Sequence, residues 1–200
     1  MELEHSKENR RRFAGHFVVV FVLCFLVLPS LRGSGDDWPL TDRDRIKLDL
    51  VMQIVATCSS PEKYGPSEES KDGKRLDFWP ITGGRFVGRG IRGTVEPGGA
   101  DFPVVRPDGV EVVDALYRLR TDDGVIIVLH DFGLTYAGNA PGQERYRLTP
   151  EFIAPKGKYD WLNKSIFLAT LTDVPRDAPQ MHLAKGPNEN DRLIQVYRVY

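Results

Sequence analysis

From Arg45 to the C-terminus, apolar residues either alternate with polar ones or form short runs cut by glycine or a turn pair about every 8 to 12 residues. That rhythm restricts the chain to extended segments. Ile46, Leu48, Leu50, Met52 and Ile54 fall on one side of the first segment, and Lys47, Asp49 and Gln53 on the other, as in a half-buried strand. Residues 57–75 are polar and broken by Pro61, Gly65, Pro66 and Gly73, which predicts a long loop. Short apolar segments follow in ITGGRFVGRGIRGTV, RPDGVEVVDALYRLR, TDDGVIIVLH and the terminal RLIQVYRVY. Beyond the N-terminus only a turn around Tyr159 to Asn163 has helical character. The fold class is therefore all-β. About eight to ten short antiparallel strands must pair two sheets or close, because open edges invite association, and a closed or nearly closed barrel is expected. Gly83, Gly84, Gly88, Gly90 and Gly93 are too dense for strand interiors and point to bulges or sharp coiling. No helix start follows them, so a phosphate-cradling loop is not expected.

The N-terminus is of another kind. Arg10, Arg11 and Arg12 precede the apolar run Phe17 to Leu28, the layout of a secretory signal, and the run is short of the roughly 20 residues that span a bilayer. Residues 1–35 are expected to be a signal peptide, or a membrane anchor if the segment extends from Phe13 to Leu31 and is not cleaved; residues 36–200 form one domain. The protein is then exported, to a periplasm or the outside, or anchored, and touches a membrane only through this segment. With 41% hydrophobic and 28% charged residues the body can bury a core. A net charge of −1 and no run of Lys or Arg in the body exclude nucleic acid as an expected partner. Residues 36–200 contain one cysteine, Cys58, which forms no internal disulfide and, lacking a nearby histidine or helix start, is expected to be a structural thiol.

Three stretches carry a recognisable pattern: Trp79 to Asp101 (WPITGGRFVGRGIRGTVEPGGAD), Arg106 to Gly124 (RPDGVEVVDALYRLRTDDG) and Lys158 to Thr170 (KYDWLNKSIFLAT), with a final strand ending VYRVY. In order and spacing they resemble the domain of unknown function 3237 family, also catalogued as uncharacterised protein family 0311, across Arg45 to Tyr200. The resemblance implies a compact antiparallel barrel, somewhat like those of lipocalins and streptavidin, that can form homo-oligomers. It implies no activity.

The residues themselves offer few familiar chemistries. His130 and His182 are the histidines of the body, and neither stands at ligand spacing with Cys, Asp or Glu, so no metal is expected. There is no nucleophile elbow, no Walker loop and no dinucleotide fingerprint in a strand–turn–helix context, so no cofactor is expected. His130 follows the apolar run VIIVL and precedes Asp131, which suits a strand-end histidine bonded locally, or a catalytic base. Asp108-Gly109 and Asp123-Gly124 are hairpin signals. Along Glu111 to Thr121, Ala115, Tyr117 and Leu119 share one face and Asp114, Leu116, Arg118 and Arg120 the other. If the polar face lines the barrel, Asp114 with Arg92 or Arg120 forms a buried pair that orients a ligand or moves a proton; if it is the exterior, these residues form a solvated lattice. Tyr117, Tyr159 and Trp161 either line a pocket for a flat ligand or pack the core. The candidate catalytic residues are thus Asp114, Tyr117 and His130, and the candidate ligand-binding residues Arg92, Asp101, Arg106, Arg120, Tyr159, Trp161 and Asn163.

Three functions compete. The first is a barrel that binds a small apolar or aromatic metabolite without a cofactor. The second is a cofactor-free isomerase, cyclase or lyase working by Asp, Tyr or His proton transfer. The third is an envelope protein-interaction module. They differ in what the barrel interior must hold: a cavity, a cavity with two titratable groups, or neither.

Overall fold

A computed structural model describes residues 44–66, 75–136 and 145–200. The expected signal or anchor at 1–35 lies outside the described residues. The strands are β1 (Leu48–Ser59), β2 (Glu62–Pro66), β3 (Arg75–Gly88), β4 (Ile91–Asp101), β5 (Val104–Val105), β6 (Glu111–Thr121), β7 (Ile126–Tyr136), β8 (Arg145–Ile153), β9 (Phe167–Asp173) and β10 (Glu189–Val199), joined by 3₁₀ turns at Asp160–Lys164 and Pro179–Met181. Every pairing is antiparallel. The order β1-β10-β9-β8-β7-β6-β4-β3 returns to β1 through a β1–β3 pairing, so eight strands close a barrel, as expected, with β2 and β5 appended to it. Closure satisfies the main-chain donors and acceptors that an open sheet leaves at its edges.

Turn chemistry sets the hairpins. Gly90, Gly109 and Gly124 each take a positive φ, and the Asp108 carboxylate accepts the Val110 N–H at 3.2 Å. Glycines inside the strands serve the predicted coiling. The β3–β4 register shifts between Ile81 and Arg85, and a side chain at Gly84 would meet the Val55 carbonyl oxygen of the closing strand at 2.1 Å.

Two expectations about the first third of the chain are corrected. The β1 register shifts between Leu50 and Met52, so Ile46, Leu48 and Leu50 are exposed while Met52 and Ile54 are buried. A bulge exchanges the inner and outer faces, and the apparent single stripe is two half-stripes. The predicted loop at 57–75 is partly strand: β1 runs to Ser59, Glu62–Pro66 form β2, and β3 begins at Arg75, while 67–74 lie outside the described residues. Its polar composition suits β2, which has only β3 beside it and mostly faces water.

The core is the barrel interior, from Met52, Ile54 and Phe86 through Leu119, Ile127 and Leu129 to Phe167 and Val196. The turn at Asp160–Lys164, which fits the helical character seen around Tyr159 to Asn163, inserts Leu162 into this core, with buried Tyr159 preceding it. A smaller cluster of Val55, Val174 and Leu193 lies with Met181 and Leu183. The Asp191 carboxylate secures that segment by accepting the Leu183 and Ala184 N–H groups at 2.5 and 2.8 Å.

Candidate functional site

One rung of the barrel gathers the chemistry. Trp79 of β3 pairs with Asp101 of β4, Asp101 with Ala115 of β6, Ala115 with Asp131 of β7 and Asp131 with Pro150 of β8. Residues paired in register share a face, and this face is the interior, because Ala115, Asp131 and Pro150 are buried and Trp79 and Asp101 half-buried. Asp101 and Asp131 therefore stand two strand spacings apart, roughly 10 Å between Cα atoms. Only the methyl group of Ala115 lies between them.

The Tyr117 hydroxyl, one inward step along β6, donates to Asp131 Oδ2 at 2.6 Å. Room for the ring comes from the bulge of β4, where Pro97, Gly98 and Gly99 interrupt pairing with β6 and a side chain at Gly99 would meet Tyr117 Cβ at 2.4 Å. Asp131 Oδ1 is buried and has no hydrogen-bond partner among the described residues. Leaving a buried carboxylate oxygen unmatched is costly, and such atoms mark places where a ligand or water completes the bonding.

A cavity of about 80 Å³ opens over this rung, lined by Ala56, Cys58, Ile81, Val113, Ile194 and the residues above. Half-buried Trp79, Glu111, Tyr146, Leu171 and Arg192 form its rim. A space of that size seats several atoms, whereas whole ligands of ordinary size need roughly 300 Å³ or more. The floor thus has room for a few non-hydrogen atoms, and the rings of Trp79 and Tyr146 stand at its rim.

Burial pushes the Asp131 carboxyl up to about 6, moderated by the Tyr117 hydroxyl and by the charge of His130. Burial likewise lifts Asp101 to about 7; the Asp114 main-chain N–H, donating to Asp101 Oδ1 at 2.9 Å, opposes this, and the charges of Glu111, Asp114 and Asp131 add to it. Burial also holds the Tyr117 phenol well above its ordinary value and raises Cys58 to about 11. Cys58 is therefore a protonated wall residue, in line with the structural thiol expected from sequence. Among the described residues no group of three or more His, Cys, Asp or Glu converges to hold a metal.

Of the residues singled out from sequence, Tyr117 and Asp101 belong to this cavity. The others do not. Asp114 lies on the outer wall and its carboxylate bonds His130 Nε2 at 2.7 Å, with no contact to Arg92 or Arg120, so the polar face of β6 is the exterior. Arg92 pairs with Asp122 at 2.8 Å, Arg106 with Asp108 at 2.5 Å and Arg120 with Glu96 at 3.0 Å, all at the surface. Tyr159 is buried at the opposite end, where its hydroxyl donates to Asp123 Oδ1 at 2.8 Å. Trp161 packs edge-on against Phe167, and Asn163 brackets Ala154 with two bonds of 2.8 Å, its amide donating to the carbonyl and its oxygen accepting the N–H. Asp131 was missed. The sequence reading ends the strand at His130 with Asp131 as its neighbour, but β7 continues to Tyr136. Carrying the buried parity of Ile127 and Leu129 one step further would have placed it inside.

Comparison with known proteins places the chain among relatives without an assigned activity. The model of a family described as a protein of unknown function (DUF3237) matches residues 46–198. A UPF0311 protein of Clostridium acetobutylicum is 27% identical over 150 residues, covering 69% of this chain and 93% of that protein. A structure described as a β-barrel-like protein from Acinetobacter baumannii superposes with a TM-score of 0.66 at 21% identity, covering 80% of this chain and all of the other. A structure described as an enzyme from Penicillium herquei gives a TM-score of 0.53 at 23% identity, covering 78% of this chain and 99% of the other. At those identities the two structures attest the barrel fold alone.

Proposed function

Because this chain belongs to the DUF3237 family of proteins of unknown function, its own cavity must supply the argument, and we propose that it is a cofactor-free acid–base enzyme of the isomerase, cyclase or lyase kind, acting on a small, largely apolar molecule. The observation that carries this reading is the pair of inward carboxyls, Asp131 with one unmatched buried oxygen and Asp101 across Ala115 from it. Two titratable groups whose surroundings raise them to different extents are suited to opposite tasks. The Tyr117 hydroxyl and the His130 charge favour the ionised form of Asp131, which suits a base, whereas the charges of Glu111, Asp114 and Asp131 favour the protonated form of Asp101, which suits an acid.

The chemistry follows from that division. Asp131 Oδ1 takes a proton from the substrate, while Tyr117 holds Oδ2 and fixes the carboxylate plane. Asp101 delivers a proton to a second substrate atom. One proton leaves and one arrives, so an isomerisation balances, and water at the rim resets the two carboxyls. The apolar walls raise the reactivity of both groups by excluding bulk water.

A barrel that only binds is the competing reading, and it needs the cavity but not the carboxyl pair. The two separate in deuterated water. The protein is incubated with a small-molecule extract of its host, and mass spectrometry follows deuterium uptake and conversion. The enzyme reading expects at least one compound that gains deuterium or converts with the natural protein and does so at least about 100-fold more slowly with Asp131→Asn. A compound that stays bound and stabilises the fold but is handled identically by both proteins would establish the binding barrel instead. Export or anchoring through residues 1–35 is a separate proposal, supported by the basic and apolar pattern of that segment.

A further inference from the structure

The outer wall behind the cavity carries its own pair of titratable groups. Asp114 and His130 sit on neighbouring strands with Asp114 Oδ1 and His130 Nε2 2.7 Å apart, their side chains half and about 38% exposed. Each is tied by the main chain to one inner carboxyl. The N–H of Asp114 donates to Asp101 Oδ1, its carbonyl accepts the N–H of Phe102, and His130 immediately precedes Asp131. We propose that Asp114 and His130 are positioning residues that act through the barrel wall on the acid–base pair inside, Asp114 holding Asp101 and His130 biasing Asp131.

This rests on the acid–base reading for its catalytic meaning but stands on separate contacts. The charged and titratable groups around each member are few. Asp101 feels the charges of Glu111, Asp114 and Asp131, while Asp131 accepts from Tyr117, lies across Ala115 from Asp101 and feels the charge of His130 through the wall, and Cys58, Glu111 and Arg192 line the same cavity. His130 faces Asp114 from β6 and is paired in register with Glu151 of β8, and the Phe132 ring lies 6.2 Å from its own. A positive imidazole beside Asp131 favours its ionised form, and the Asp114 charge opposes ionisation of Asp101. The outer pair thus pushes the two inner carboxyls apart, towards base and acid. Both outer groups meet solvent, so the effect is screened to a few tenths of a unit at ordinary ionic strength.

Carbon-13 NMR titration of aspartate carboxyls in the folded protein tests this without a substrate. His130→Gln should raise the midpoint of Asp131, and Asp114→Asn should lower that of Asp101, each by about 0.3 to 0.5 unit, with both shifts shrinking in high salt. Glu151→Gln, which removes a charge near His130 but has no tie to Asp101, should leave Asp101 in place. Unmoved midpoints in folded His130→Gln and Asp114→Asn, shifts of the opposite sign, or a Glu151→Gln effect on Asp101 equal to that of Asp114→Asn would each overturn the proposal. Failure of the deuterium experiment alone would instead leave this coupling intact and remove its catalytic meaning.

Discussion

Asp131 and Asp101 give the protein a pH dependence of stability opposite to that of most surface carboxylates. Their folded values, about 6 and about 7, lie above the ordinary 3.8, so the folded state holds protons that the unfolded chain has released. Their contribution is complete below about pH 4 and is lost as pH rises through 6 and 7. Urea denaturation between pH 5 and 8 should show stability falling by on the order of 4 kcal/mol over that window, and the slope should flatten in Asp101→Asn combined with Asp131→Asn. Tyr117→Phe removes the hydroxyl that favours ionised Asp131, so the Asp131 midpoint should rise further and the acid limb of turnover move to higher pH. At this scale the sequence was half legible. Tyr117 is visible from the alternation of β6, and Asp101 only as one of several candidate polar residues, and which face of β6 looks inward depends on closure. Neither periodicity nor composition distinguishes the polar face of a strand as wall or lining, so Asp114, Arg92 and Arg120 were grouped although the barrel sends them outward to separate partners.

Among the elements, the glycines divide by what they permit. A side chain at Gly93 would stand 1.9 Å from the Arg120 carbonyl oxygen, where β4 crosses β6. At Gly109 it would meet open space, and only the positive φ of 82° opposes it. Gly93→Ala should therefore cost on the order of 3 kcal/mol or more and Gly109→Ala about 1 kcal/mol, compared by urea denaturation at one pH. The coiling role of the β3 and β4 glycines was readable from their density and that of Gly109 from its Asp-Gly pair, whereas the β1 bulge at Leu50 and Met52 contains no glycine and left no trace in the sequence. A run of alternating apolar residues has the same appearance with or without an inserted residue until the partner strand fixes the register. The strand β2 escaped for a related reason, since an outlying strand needs no apolar face.

In the whole molecule the two ends of the barrel have different tasks. One holds the carboxyl rung and its rim; the other is plugged by Leu162 and by Tyr159, whose hydroxyl joins Thr121 and Lys158 on Asp123. Tyr159→Phe should lower the melting midpoint by a few degrees, read by circular dichroism, while leaving the titration of Asp131 unchanged. Closure itself was the most legible feature, because short glycine-punctuated strands without helices leave few other ways to satisfy edges. The carboxyl rung is the centre of the proposed chemistry, and carbon-13 NMR titration of the aspartates in the natural protein reads it directly. Two resonances with midpoints between about 6 and about 7, one lost in Asp101→Asn and the other in Asp131→Asn, are the predicted result. Titration of every aspartate below pH 5 would contradict it.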